Sequence, residues 1–333
     1  MGISIVGSLN YDLDTYTDVI PGPGQTIRAN DFQTHAGGKG LNQTIAIAKL
    51  KQPEAKYKVS MVGNVGKDSF GDKLVDILTR YNVDVSRVGR LSDVMTGVAT
   101  ILVEQKTGQN RILITEGANG KTEYSNDQLE EIFPKDKEHK ENHMVVFQQE
   151  IPDACAIMRW LKKERKDYQI VFNPSPFEAI DPQDWNLVDI LVVNEIEALQ
   201  VIETVFDEVE INKIKDSIKT NFVKGYENVC EILQKKCVNA NGAGVVIITL
   251  GAQGVLFSSK EDPKVGFKDP VKNIKVIDTT GAGDTFLGAF VTQYYQGVDI
   301  PTAIGFSTKA SSLTIQTPGA AESIATYDDV LNA

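Results

Sequence analysis

Between Met144 and Val193 the chain reads Met144-Val-Val-Phe147, a helix-like stretch near Asp153 to Lys166, Ile170-Val-Phe172 and then Ile190-Leu-Val-Val193; the rhythm returns at Val245-Val-Ile-Ile-Thr249. A strand with one wet face alternates apolar and polar residues, and these runs do not, so both faces of each strand must meet apolar partners. Short unbroken strands separated by amphipathic helices predict a parallel sheet covered by helices on both sides, an α/β fold. Ligands of such sheets sit at the carboxyl ends of the strands. The residues that follow each run are therefore the ones to read for chemistry.

Outward from this block, Ile3-Ser-Ile-Val-Gly7 is a first strand, and Pro21-Gly-Pro-Gly24 makes Thr15 to Thr34 a hairpin or two in place of a helix. Val98 to Val103 and Arg111 to Thr115 alternate about a polar loop with Gly108, which predicts an antiparallel ribbon. Between them lie a helix from about Leu41 to Leu50, a strand Val59 to Val62 and a helix from about Phe70 to Tyr81. Glu208 to Asn239 is charged, helical in pattern and delays the next strand, so residues about 207 to 242 are expected to be a peripheral insertion.

At about 150 residues per domain, 333 residues suggest roughly two domains, or one body carrying a lid. Hydrophobic residues at 41% against 24% charged support a full core, which excludes disorder and disulfide-stapled miniproteins. Lys and Arg number 34 against 45 Asp and Glu; the resulting net charge of −11 argues against a nucleic-acid partner. No apolar run approaches the roughly 18 residues of a membrane span, and Met1 to Val6 lacks a signal peptide's basic region, so no membrane partner and no secretion are expected. Cys155, Cys230 and Cys237 are odd in number and widely spaced, which suits buried free thiols in a reducing compartment. His139 and His143 stand four apart but inside a charged segment read as surface, not as a metal pair. Signatures of serine hydrolases, zincins and P-loop kinases are absent, and no GxGxxG follows the first strand.

Ile277-Asp-Thr-Thr-Gly-Ala-Gly-Asp-Thr-Phe-Leu-Gly-Ala-Phe290 follows an expected strand, Ile274 to Ile277, and enters a helix in which Phe286, Phe290 and Tyr294 share a face. Two glycines before a helix let the first-turn amides approach a ligand, with the positive end of the helix dipole behind them. Asp284 brings a carboxylate to that anion hole. The pairing makes sense if the carboxylate takes a proton from a nucleophile attacking the anion, as phosphoryl transfer requires; the alternative is an ordinary helix cap. Ala36-Gly-Gly-Lys-Gly-Leu-Asn-Gln-Thr44 opens a second helix, with Lys39 and Asn42 as donors suited to a polyhydroxylated ligand, although such a run can also be a tight turn. Asn10 and Asp12 leave the first strand two residues apart, on one side, and Glu150 follows Phe147 in the same relative place. Asn194 and Glu197, three apart at a strand-to-helix turn, can hold hydrated Mg²⁺ near phosphates, and Thr249-Leu-Gly-Ala-Gln-Gly254 offers a hydroxyl and glycines to a nucleotide.

Gly37-Gly-Lys-Gly-Leu-Asn-Gln-Thr44 and Asp278-Thr-Thr-Gly-Ala-Gly-Asp284 resemble the N- and C-terminal signatures of the ribokinase-type (PfkB) carbohydrate kinases, with Asn194-xx-Glu197 and Thr249-x-Gly251-xx-Gly254 in order between them. The resemblance spans nearly the whole chain and points to a eukaryotic-type ribose kinase. It implies a single kinase domain over 1–333, a Rossmann-like three-layer αβα body whose small β-sheet lid, at about 14–35 and 97–116, also clasps a homodimer. It implies ATP-dependent phosphorylation of D-ribose at O5; the alternatives are another sugar kinase of the family, fructokinase-like, or a non-catalytic sugar or nucleotide sensor on the same fold. Carried over, Asp284 is the base and the amides of Gly281, Ala282 and Gly283 hold the phosphoryl group. Asn10, Asp12, Gly38, Lys39, Gly40, Asn42, Glu150 and Asp284 bind the sugar; Asn194, Thr249, Gly251, Gly254, Gly283 and Thr308 meet ATP, Thr308 beside the adenine. Glu197 organises Mg²⁺ through water, and Asp278, Thr280, Thr314, Thr317, Gly319 and Ser323 hold an activating K⁺. A cytoplasmic, or also nuclear, location goes with this reading. Lys51 replaces the expected small residue, Gln52 to Tyr57 lengthens a connection, and the helical insertion exceeds that of compact relatives.

Overall fold

A computed structural model describes residues 2–135, 142–239 and 241–333; His139 lies outside them. The chain runs β1 (Gly2–Val6), β2 (Asn10–Thr17), β3 (Asp31–Gly37), α1 (Lys39–Leu50), β4 (Lys58–Gly66), α2 (Ser69–Arg80), β5 (Asp84–Leu91), β6 (Gly97–Glu104), β7 (Gln109–Thr115) and α3 (Asn126–Ile132). It continues through β8 (His143–Phe147), α4 (Ala154–Glu164), β9 (Tyr168–Phe172), β10 (Ile190–Asn194), α5 (Glu195–Val205), α6 (Glu208–Thr220) and α7 (Phe222–Lys236). The last elements are β11 (Val245–Thr249), β12 (Val255–Ser258), β13 (Gly266–Lys268), α8 (Ala282–Tyr295), α9 (Ile300–Thr314) and α10 (Tyr327–Asn332).

Among the described residues the main sheet has the order β13-β12-β11-β10-β9-β8-β1-β4-β5. From β11 to β5 every pairing is parallel; β12 and β13 close one edge antiparallel. The apolar runs are buried on both faces, as their lack of alternation requires. Met144, Val146, Val171, Ile190, Val192, Val245 and Ile247 join a core with Leu41, Ile45, Phe286, Phe290 and Ile304 of α1, α8 and α9. Their neighbours Val145, Phe147, Ile170, Phe172, Leu191, Val193, Val246 and Ile248 join another with Met158, Leu161, Ala198, Val201 and Leu233 of α4, α5 and α7. Period-two alternation thus divides one strand between two helical layers, which makes the body a three-layer α/β/α structure.

β2, β3, β6 and β7 form a second sheet of order β3-β2-β6-β7, in which β2 and β6 run parallel and the outer pairings antiparallel. The charged stretch after β10 folds as α6 and α7. Two expectations need correction. Ile274 to Ile277 is not a strand: Val276 and Ile277 are exposed, and the Ile277 amide donates to the carbonyl of Ile315. Asn10 and Asp12 do not trail off β1; they open β2, paired with Gly37 and His35. No helix among the described residues is long and apolar enough to cross a membrane. The three cysteines are buried free thiols, and burial pushes each up to about 12.

Candidate active site

The site is set by how closely α1 and α8 approach. A Cβ on Gly288 would lie 2.4 Å from the Cβ of Ala46, so the glycine is what allows the two helices to touch. Their N-terminal turns then meet. Asp284, in the first turn of α8 and 7% exposed, accepts from Gln43 Nε2 on Oδ1 at 2.9 Å and from Asn42 Nδ2 on Oδ2 at 3.3 Å. It is not the helix cap: that position belongs to Gly281, left-handed at φ 74°, and no side chain caps the turn. The amides of Ala282 and Gly283 therefore open α8 beside a carboxylate anchored from another helix.

Around them lies a cavity of about 240 Å³ that brings together Lys39, Asn194, Glu197, Thr249, Asp284 and the Gly281–Gly283 turn. It opens beyond the carboxyl ends of β10 and β11, where doubly wound sheets bind ligands. Burial works against the charge of Lys39, but Asp284, Glu150 and Glu197 outweigh it and hold the ammonium above its ordinary value. The Lys39 amide donates to Glu150 Oε2 at 2.8 Å, and the Ser8 hydroxyl donates to the same oxygen. Gly38, at φ 88°, leaves no room for a side chain: its Cβ would sit 2.9 Å from the amide nitrogen of Asn10. A Cβ on Gly40 would lie 2.5 Å from the Ser8 nitrogen.

Asn10 accepts on Oδ1 from Asn119 Nδ2 at 2.7 Å, and Asn119 is itself fixed by the amide and carbonyl of Leu9. The Asn10 amide nitrogen is then the end available to a ligand. Asn42 Oδ1 is a buried acceptor without a hydrogen-bond partner among the described residues, as expected of an atom that meets a bound hydroxyl. Asp12 lies against the backbone of Gly37. Desolvation first, then the charges of Asp14, Glu150 and Glu322, push its carboxyl up to about 7.

Asn194 and Glu197 form a capping box on α5: Asn194 Oδ1 accepts from the Ile196 and Glu197 amides, and Glu197 Oε2 from the Asn194 amide at 3.0 Å. One carboxylate oxygen of Glu197 and the side-chain Nδ2 of Asn194 remain for a ligand. Thr249 Oγ1 reaches the Val193 carbonyl at 3.4 Å. Gly251 and Gly254 take φ 53° and 107° in the turn between β11 and β12, and Thr308 lies on α9 with its hydroxyl donating to the Ile304 carbonyl. None of these last three lines the cavity.

Asp278 gathers part of a further group. Its Oδ1 accepts from Thr280 N and Oγ1, and its Oδ2 from Gly319 N at 3.0 Å. Burial pushes this carboxyl up, but the bonds from Thr280 and Gly319 outweigh it and hold it below the usual carboxylate range. Thr314 Oγ1 is paired with Thr285 Oγ1, Ser323 Oγ donates to the Ala320 carbonyl, and the Thr317 amide donates to the Thr314 carbonyl. The sequence reading missed Ser8, Gln43, Asn119, Gln148 and Asn173. Only Gln43 stood inside a quoted motif; the others meet the site through pairings that local spacing does not reveal.

The pfkB family carbohydrate kinase model matches residues 2–326. The chain belongs to this family. A ribokinase of Schizosaccharomyces pombe is 34% identical over 97% of this chain and 95% of that protein, and a ribokinase of Lactococcus lactis is 33% identical over 96% and 92%. Arabidopsis thaliana ribokinase complexed with ribose and ATP superposes with a TM-score of 0.79 at 27% identity, covering 99% of this chain and 97% of that one. Ribokinase from Cryptococcus neoformans in complex with ADP gives 0.77 at 26% identity over 100% and 99%. In this pfkB kinase the two signature segments are the N-terminal turns of α1 and α8, packed together.

Proposed function

We propose that this chain phosphorylates D-ribose at O5 with ATP, giving ribose 5-phosphate and ADP. The observation that carries the reading is the buried Asp284 carboxylate, anchored by α1 beside the amides that open α8 and within the field of Lys39. Near-full-length likeness to ribokinases supports the choice of sugar.

In this mechanism the O5 hydroxyl gives its proton to Asp284 as O5 attacks the γ-phosphorus, the bond to the bridging oxygen breaks, and ADP leaves as an anion. The amides of Gly281, Ala282 and Gly283 would take the transferring oxygens and stabilise their charge, the Ala282 amide giving up or sharing the bond it makes to the Thr279 carbonyl at 3.2 Å. Asn10, Asp12, Gly38, Lys39, Gly40, Asn42 and Glu150 hold the sugar, while Asn194, Thr249, Gly251, Gly254 and Thr308 hold the nucleotide. Glu197, with Oε2 taken by the Asn194 backbone amide, would use its other oxygen to organise Mg²⁺ through water, and the ion would supply charge neutralisation to the phosphates. Asp278, Thr280, Thr314, Thr317, Gly319 and Ser323 form an all-oxygen set whose carboxylate stays ionised, which fits a monovalent cation such as K⁺.

A coupled assay of ATP-to-ADP conversion over ribose, 2-deoxyribose, fructose and adenosine, with Na⁺ and K⁺ compared, tests this. Ribose is expected to be turned over fastest, and faster in K⁺; preferential turnover of fructose would move the enzyme to the fructokinase-like alternative.

The protonation of Asp12 predicts a second outcome. With its carboxyl raised to about 7, Asp12 is neutral below that pH and ionised above it, where it can only accept hydrogen bonds from sugar hydroxyls. Ribose affinity by calorimetry should therefore weaken as pH falls from 8 to 6. The sign for stability is opposite: a raised carboxyl favours the fold at low pH and loses that contribution as pH rises through about 7, so Tm without ribose should fall over that range, while the rise in Tm on adding ribose, which follows affinity, should be larger at pH 8. Asp12→Asn should abolish both trends, and a wild-type affinity independent of pH would refute the assignment.

Phe32, Ile112, Leu113 and Ile114 are each more than half exposed on the small sheet. Such an apolar surface suits pairing with a second copy as a homodimer and lid, and sedimentation as a monomer would remove that part of the proposal. Three free buried thiols suit a cytoplasmic, or also nuclear, location.

A further inference from the structure

Three amide side chains behind Asp284 can be oriented without ambiguity, because one end of the chain is a backbone carbonyl. Val192 O can only accept, so the amide of Asn173 turns Nδ2 toward it, at 3.0 Å, and presents Oδ1 to Gln43. Gln43 must then offer Nε2, which donates to Asn173 Oδ1 at 3.1 Å and to Asp284 Oδ1 at 2.9 Å. That leaves Gln43 Oε1 to accept from Gln148 Nε2 at 2.6 Å. Gln43 and Gln148 are fully buried, so water does not compete for these bonds.

We infer that Gln43 is a positioning residue that pins Asp284 by Oδ1 and leaves Oδ2 as the oxygen that takes the proton. The inference deepens the kinase reading above and rests on it. Oδ1 is tied into a chain that ends at β10, whereas Oδ2 receives the single, longer bond from Asn42 at 3.3 Å. Asn42 also carries the unpartnered acceptor Oδ1, so the residue bonded to Asp284 Oδ2 is one that is itself open to a ligand. Gln43 spends both ends of its amide on Asn173, Asp284 and Gln148, and has no free group for substrate. Its effect on the reaction therefore runs through the carboxylate.

The test is steady-state kinetics and calorimetry on the full-length enzyme with Gln43→Leu, Gln148→Met and the double variant. Gln43→Leu is expected to lower kcat about 10- to 100-fold, the loss typical of a reacting group displaced by an ångström or less, while the ribose Kd stays within about two-fold. Gln148→Met frees Gln43 Oε1 and should lower kcat by less, and the double variant should fall no further than Gln43→Leu alone, because both changes act on one chain. If Gln43→Leu does not fold, Gln148→Met still decides: reduced kcat with unchanged Kd supports the chain, and unchanged kcat overturns it. Multiplying losses in the double variant, or a Gln43→Leu defect confined to ribose Kd, also overturns it. Failure of the kinase reading is seen separately, as absence of ribose turnover by the unsubstituted enzyme. That result would remove the inference along with the reading.

Discussion

Asp284→Asn is expected to lower kcat by about three to four powers of ten, the combined loss of a general base and of a charge placed beside the reacting hydroxyl. Ribose binding should survive. The substituted amide keeps one oxygen to accept from Gln43, and the other residues proposed to hold the sugar lie on β2, on and just before α1, and after β8. The fold should also survive, since Asp284 does not cap α8 and a neutral amide of the same shape removes charge from a site already crowded with carboxylates. Calorimetry with ribose and a turnover assay on the same preparation separate the two effects. Near-normal turnover would end the assignment of Asp284 as base, and a non-catalytic sensor would show ribose binding with no turnover in the unsubstituted chain either.

What could be read from the sequence followed from local physics. The strands from β8 to β11 were legible because a strand buried on both faces must be continuously apolar, and the turn into α8 because glycines before a helix announce a backbone-lined hole. Ile274 to Ile277 is rich in β-branched residues around Lys275 and misleads, since a strand also needs a neighbour and this segment finds only Ile315, just past the end of α9. β5 was invisible because its residues are mostly half-buried, and β12 and β13 because they are short. The supporting shell was illegible for a different reason. Gln43 lies 241 positions from Asp284, and Asn119 lies 109 from Asn10. Contacts of that span are made by the packing of α1 on α8 and by the junction of the two sheets, and no spacing rule encodes them. Asn194 and Glu197 carry the converse lesson: their three-residue interval is a ligand motif and a capping box at once, and the structure shows the box already formed.

Gly283→Ala should separate stability from catalysis by moving them in opposite directions. Gly283 lies in the first turn of α8 with ordinary helical backbone, and a Cβ added there would meet nothing within 4 Å. Alanine in such a position reduces the entropy of the unfolded chain and favours helix, so stability should rise by about 0.5–1 kcal/mol. On the proposed reading, that open space is the face of the turn over which the phosphoryl group sits. A methyl group there holds the phosphoryl oxygens away from the amides of Ala282 and Gly283, and kcat should fall about 100-fold, as when a donor to a developing anion is lost. Gly281 cannot make this distinction: at φ 74°, with a Cβ only 3.1 Å from Ala320, its substitution strains the fold and the site together. Urea denaturation and turnover of Gly283→Ala are therefore the informative pair. Greater stability with unchanged turnover would mean that the phosphoryl group does not sit over this turn.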